Sequence, residues 1–227
     1  MTALPDHESP HDVHAADRSG APLRLRDRLR EQTHVAILDA AEHIITEEGT
    51  PLARIDAIAH AAGVSVGTLY NHFADRDALV AAVILDRRRA LAGSMAQLVA
   101  DSQAAFPAKL LTFFEIFAQA GARHGRFFAV VMSESGGLRS WQCQRDETIS
   151  SWFALSRALL EQGAREGVIR GDRLDAYTTF LMNLARTAVI GPAVSMPLIG
   201  TAEMAEFFLN GARASRPNVP VGDGSPL

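Results

Sequence analysis

Apolar residues recur along this chain at intervals of three and four, and almost nowhere do they alternate. Ile37, Leu38, Ala41, Ile44 and Ile45 mark one face of a first helix, which Gly49 stops after Glu48. A short second helix turns Ile55, Ile58 and Ala59 inward and ends near Ala62–Gly63. A third short helix opens after Val64, with Ser65 as its cap. Asp75 is placed to cap a long helix reaching about Val99, with Leu79, Val83 and Leu91 on its inner face. Pro107 suits the first turn of the next helix, which carries Leu110, Leu111, Phe113, Phe114 and Phe117. Gly121, Gly125, Gly136 and Gly137 are expected to punctuate a shorter helix from about Phe127 to Ser133. Long helices follow from about Arg139 to Glu166 and from Leu174 to Ile190. Gly191–Pro192 and Pro197 then break the chain before a last helix from about Thr201 to Arg213. No alternating run of β-branched residues demands a strand, so the expected fold class is all-α.

Residues 1–23 read as a disordered tail rich in Pro, Asp, Ser and His, and residues 214–227 as a flexible one. His7, His11 and His14 in the first tail could hold a metal loosely or simply be solvated. No acid or cysteine stands at ligand spacing to them, so no metal site is expected. No apolar run is long enough for a membrane span or shaped like a signal peptide, and the single Cys143 allows no disulfide within the chain. The expected location is cytoplasmic. Cys143 is either a redox switch or inert. The net charge of −4 over 227 residues carries no hint of nucleic acid, but its distribution does. Arg24, Arg26, Arg28 and Arg30 stand around a lone aspartate, an arm that can rest on phosphates or merely solvate a helix end.

The stretch GVSVGTLYNHF, from Gly63 to Phe73, is polar where a packing helix would be apolar. Gly63 can take the left-handed conformation of a sharp turn between two helices, and Ser65 can accept from the free N–H groups of the second. Val64 and Leu69 face inward, which leaves Val66, Gly67, Thr68, Tyr70, Asn71 and His72 outward. Those types suit a major groove. Thr68 and Asn71 can hydrogen-bond base edges, Val66 can meet a thymine methyl, and Gly67 admits a close backbone. Tyr70 and His72 can reach phosphates. Arg76 opposes the helix dipole in the first turn of the fourth helix, a position that a phosphate would explain, and Arg54 is a parallel case. The competing interpretation is a plain helical hairpin with Tyr70 and Phe73 in its core.

Residues from about Arg30 to Leu85 resemble the N-terminal DNA-binding domain of the tetracycline-repressor (TetR) family of bacterial transcription regulators. The resemblance is carried by ILDAAEHIITEEG, by IDAIAHAAGVSVGTLYNHF, and by the ADRDALVAAVI that opens the fourth helix. It implies a three-helix reader at 24–75 joined to a larger helical ligand-binding and dimerisation domain at 76–213. Carried over position by position, it assigns base contacts to Val66, Gly67, Thr68 and Asn71. Phosphate contacts fall to Tyr70, His72 and Arg76, together with Ser65 and Arg54. The family often has a polar residue where this chain has Val66, and Thr or Ser where it has Ala53 before Arg54, so an apolar contact is expected at Val66.

Beyond the reader, no phosphate loop, metal spacing or nucleophile with partners appears, so neither an enzyme nor a bound cofactor is expected. Phe113, Phe114, Phe117, Phe128, Met132, Trp152 and Phe153 are candidates to line a pocket for a small, mainly apolar ligand, or to be plain core. Gln119, Arg123, Glu134 and Asn183 are the polar residues that could orient it. Tyr177, Phe180, Leu181, Leu184, Phe207 and Phe208 lie on two helices that could pair with their copies in a homodimer, or pack within one subunit. The resulting expectation is a dimeric repressor bound to a palindromic operator of double-stranded DNA and released by its ligand. An activator or ligand-dependent corepressor-type regulator of the same fold, and a small helical enzyme, are the alternatives.

Overall fold

Eight α-helices and two short 3-10 turns account for the computed structural model, which describes residues 25–134, 147–194 and 199–213. The helices are α1 (Leu25–Glu48), α2 (Ile55–Ala61), α3 (Val66–His72), α4 (Arg76–Ala100), α5 (Phe106–Glu134), α6 (Glu147–Arg165), α7 (Leu174–Ile190) and α8 (Thr201–Ala212). Among the described residues the sole β pairing is an isolated bridge between Ile169 and Arg213. The fold is all-α, as the spacing of apolar residues predicts.

α1, α2 and α3 enclose a small core of Ile37, Leu38, Ala41, Ile45, Ile58, Ala59, Leu69 and Phe73. Its corners are made by the expected residues. Gly63 has φ +68° and its N–H donates to the His60 carbonyl at 3.0 Å, so the chain reverses where an L side chain would be strained. Ser65 Oγ then accepts from the Thr68 N–H at 3.0 Å, and Asp75 accepts from the Ala78 N–H at 2.7 Å to start α4.

α4 to α8 form the second body, in which α5 is central and packs against α4, α6, α7 and α8. Here three expectations are corrected, and a fourth falls outside the described residues. Gly121 and Gly125 do not break a helix, because α5 runs unbroken from Phe106 to Glu134. They are instead the points where α7 crosses it: a Cβ on Gly121 would stand 2.5 Å from the Ala188 carbonyl oxygen, and one on Gly125 2.5 Å from that of Val189. Gly191–Pro192 does not open a loop directly, because a 3-10 turn over Gly191–Val194 extends α7. The arginine arm is no arm either, since Arg26, Arg28 and Arg30 lie within the first turns of α1. Finally, α6 is described from Glu147, and the expected helix start at Arg139, with Gly136, Gly137 and Cys143, lies outside the described residues.

The single lysine is used internally. Lys109 is buried, and its ammonium donates to the Val99 carbonyl at 3.2 Å and to Gln162 at 2.9 Å, closing the C-terminal end of α4 against α5 and α6.

The crossing of α5 and α7 is tight enough to test by one methyl group. Gly125→Ala is expected to destabilise the protein by about 1–3 kcal/mol, the usual cost of overpacking. Gly93→Ala, inside α4 where an added Cβ meets nothing within 4 Å, is expected to stabilise it by about 0.5–1 kcal/mol. Urea unfolding of the two variants beside the parent protein measures both.

Candidate nucleic-acid interface and effector cavity

The outer face of α3 is built by what its inner face buries. Leu69 is fully buried and Phe73 nearly so, which turns Val66, Gly67, Tyr70 and Asn71 to the exterior. Tyr70 is half exposed, so the hairpin interpretation that places it in the core fails. At Gly67 an added Cβ would meet only Ser65 Oγ, at 3.8 Å. Nothing inside the fold asks for glycine there, although it weakens the helix by about 0.5–1 kcal/mol relative to Ala.

The remaining residues singled out on this surface have local partners. Ser65 is the helix cap, and its hydroxyl lies 2.8 Å from that of Thr68, which is half-buried. Arg54 forms a bidentate pair with Asp56 at 3.0 and 2.8 Å, a bond that raises the pKa of the arginine and lowers that of the aspartate. Arg76 donates to the Pro51 carbonyl at 3.1 Å, tying the start of α4 to the loop after α1. A cation in the first turn of α4 therefore has an internal role, contrary to the expectation that a phosphate is needed to explain it. His72 is half-buried beside Phe73 and His34, with its ring 5.7 Å from that of His34. Burial, then His34 and Arg30, push its pKa below the ordinary 6.5, so the ring is neutral at pH 7. Arg54, Val66, Tyr70 and Arg76 border one open depression of about 730 Å³, together with Asp56, Asp75 and Asp77.

Behind this surface, three helices meet at one carboxylate. Glu42 of α1 accepts from Arg87 Nε of α4 at 2.8 Å and lies 2.6 Å from His124 Nδ1 of α5. Arg87 also binds Asp39 of α1, and Asp86 at 2.8 Å. Burial alone would raise the pKa of Glu42, but the hydrogen bonds from His124 and Arg87, with their charges, hold it below the ordinary 4.5. Sequence reasoning misses this cluster. Its members lie far apart along the chain and belong to no motif.

Arg87 and His124 also line the wall of a cavity of about 210 Å³ between α4, α5, α6 and α7. Of the aromatic candidates, Phe117, Phe128, Trp152 and Phe153 line it. Phe113 and Phe114 do not; they are core, packed edge to face at 5.4 Å. Met132 lines a second cavity of about 520 Å³, which shares Asn183, Arg186 and Ile190 with the first. Asn183 is the one polar candidate that reaches the first cavity. Gln119 and Arg123 do not, and the side chain of Glu134 lies outside the described residues. The cations Arg88 and Arg186 on its lining were not among the expected residues.

The proposed interface residues divide cleanly. Phe180 of α7 and Phe207 of α8 are 60% and 71% exposed, and Leu184 is half-buried. Tyr177, Leu181 and Phe208 are internal core, contrary to expectation. Tyr177 packs edge to face on Phe208 at 6.2 Å, and its hydroxyl accepts from Arg170 at 2.7 and 2.9 Å. Among the described residues, no group of three or more His, Cys, Asp or Glu is placed to hold a metal ion, and no helix is long and apolar enough to cross a membrane.

Residues 37–83 match the family of bacterial regulatory proteins described as the tetR family. The HTH-type transcriptional regulator UidR of Escherichia coli strain K12 is 44% identical over 63 residues, which are 27% of this chain and 32% of that protein. The chain thus matches about a third of the length of this curated relative. Solved structures are similar over much more of the chain. The transcriptional regulator FadR from Bacillus subtilis, in complex with stearoyl-CoA, superposes with a TM-score of 0.62 at 18% identity, covering 78% of this chain and 96% of that one. The regulatory protein TetR from Rhodobacter sphaeroides gives 0.64 at 19%, covering 79% and 98%. At such identities the likeness shows the fold.

The depressed pKa of Glu42 has a definite sign. Its contribution to stability is complete above the unfolded-state value near 4.5 and is lost as pH falls through the lower folded value. Glu42→Gln is expected to be less stable than the parent at pH 7, with the gap closing as pH falls below 4.5. Thermal unfolding of both proteins between neutral and acid pH measures it.

Proposed function

From the match of residues 37–83 to the tetR family of bacterial regulatory proteins and the likeness of that segment to UidR, we propose that the chain is a transcriptional repressor of that family. It binds a palindromic DNA operator as a homodimer and is released by a small, mainly apolar ligand. The reading unit is residues 24–75, and residues 76–213 hold the ligand and form the dimer. One observation supports DNA readout above the others: the outward face of α3 combines exposed Val66, Tyr70 and Asn71 with a glycine that the fold does not require. A backbone free of a side chain at Gly67 lets α3 lie close against base edges, with Asn71 offering a donor and an acceptor. Tyr70, at its rim, is long enough to bond a phosphate.

A single α3 makes few contacts, and two copies about 34–36 Å apart supply the rest. The exposed Phe180 and Phe207 support a second copy of this chain on the α7–α8 face, since large apolar side chains left in water by one subunit are buried between two.

Release works as a population shift. Arg87 and His124 belong both to the cavity wall and to the cluster that holds Glu42 of α1. A ligand that engages either one competes with Glu42 and lets α1, and α3 with it, move relative to α4. The free energy by which ligand weakens DNA binding equals that by which DNA weakens ligand binding.

Tyr70→Ala is expected to lose about tenfold or more in operator affinity, the range of one well-placed contact, while binding of the parent survives about 0.15 M salt. Fluorescence anisotropy on the DNA upstream of the protein's own gene measures both; equal, salt-labile binding by the two proteins contradicts readout by α3. In light scattering after size exclusion, the parent is expected to run as a dimer and the double variant Phe180→Asp, Phe207→Asp as a folded monomer with weakened operator binding. A dimer that survives both substitutions contradicts the α7–α8 interface.

A further inference from the structure

The cavity between α4 and α7 has a chemical bias that its aromatic lining conceals. Trp152 is 8% exposed, and its indole Nε1–H is buried without a hydrogen-bond partner. Its ring packs edge to face on Phe117 at 6.3 Å, and both residues line the cavity. A buried N–H that no protein group accepts is costly, and an oxygen placed in the cavity would satisfy it. Among the described residues the charges on the lining are of one sign. Arg87, Arg88 and Arg186 line the cavity beside His124, and among the described residues no Asp or Glu does.

These arginines are not equivalent. Arg87 is neutralised by Glu42, Asp39 and Asp86. Arg88 is 2% exposed and makes its own contacts. Arg186, one turn along α7 from Asn183, forms no ion pair among the described residues. It lines both this cavity and the adjoining one, so it stands where the two meet. A guanidinium with no ion pair among the described residues, at the edge of an apolar, aromatic chamber, favours an anion carried on an apolar body. Its planar fork suits a carboxylate in particular.

We propose that the effector is an amphipathic carboxylic acid. Its apolar body lies against Phe117, Phe128 and Phe153, its carboxylate pairs with Arg186, and an oxygen accepts from Trp152 Nε1. This assignment rests on the reading of the cavity as the effector site, and it narrows that reading from an apolar ligand to an apolar monoanion. A neutral hydrocarbon-like molecule would leave Trp152 unsatisfied and gain nothing from Arg186. An apolar amine would face three arginines.

Isothermal titration of the full-length protein with octanoate, octan-1-ol, octylamine and 4-phenylbutyrate tests the assignment without DNA. At least one of the two acids is expected to bind, octanoate more tightly than octan-1-ol by about tenfold, and octylamine not at all. Arg186→Gln, a change at an exposed position, is expected to abolish the preference for acid over alcohol while leaving the alcohol unchanged. Trp152→Phe is expected to weaken acid and alcohol alike by several-fold, with the fold checked by circular dichroism. Binding of no probe, alcohol equal to or tighter than acid, or an acid preference that survives Arg186→Gln overturns the proposal. Operator binding is measured separately, so failure here leaves the DNA reading intact. Conversely, acid binding by a protein that recognises no operator would sink the regulator reading and spare this one.

Discussion

Glu42 is the constraint on which the arrangement of the two bodies depends. A mostly buried carboxylate cannot be left unpaired, so the position of α1 is tied to whatever satisfies it. Two groups do, Arg87 from α4 and His124 from α5, at 2.8 and 2.6 Å. The cores of both bodies are apolar and would tolerate small slides of one helix over another. A carboxylate gripped from two sides tolerates far less. The cluster thereby turns general packing between α1, α4 and α5 into one defined placement of α1.

The other side of the same residues is the cavity, and its frame is stiff for a different reason. α5 and α7 approach so closely at Gly121 and Gly125 that their backbones nearly touch. Lys109 and Gln162 fasten the opposite ends of α4, α5 and α6. With α5 and α7 this close, a molecule bound beside Phe117 and Phe128 as proposed would push on α4 and α6 more readily than on the α5–α7 pair. α4 is the helix that carries Arg87 and begins at the reader, with Asp75 as its cap. On the proposed function, that one element would join occupancy of the cavity to the placement of α3.

Much of the reader was legible in the sequence because its determinants are local. Gly63 must reverse the chain, Ser65 and Asp75 must satisfy free N–H groups, and Leu69 must be buried. Each is decided within four residues, so spacing suffices. The rest depends on residues brought together from afar. Glycine spacing on α5 reads as punctuation until α7 is laid across it. Phe113 and Phe117 share one helical face, yet the first is core and the second opens on the cavity, because α6 supplies Trp152 only at the latter. Likewise Tyr177 and Phe180 differ only in whether α8 covers them. Arg76 shows the reverse hazard: a charge that opposes the helix dipole suggested an external partner, and a backbone carbonyl 25 residues away supplies an internal one.

The central claim is that a change at the cavity wall is felt at the reading helix through Glu42. Amide hydrogen exchange on His124→Ala tests it directly, because that residue lies on α5, lines the cavity and holds Glu42. Loss of one grip on Glu42 is predicted to speed exchange across residues 55–72 as well as around the substitution in α5. Faster exchange confined to α5 and its immediate neighbours, with residues 55–72 unchanged, would contradict the account.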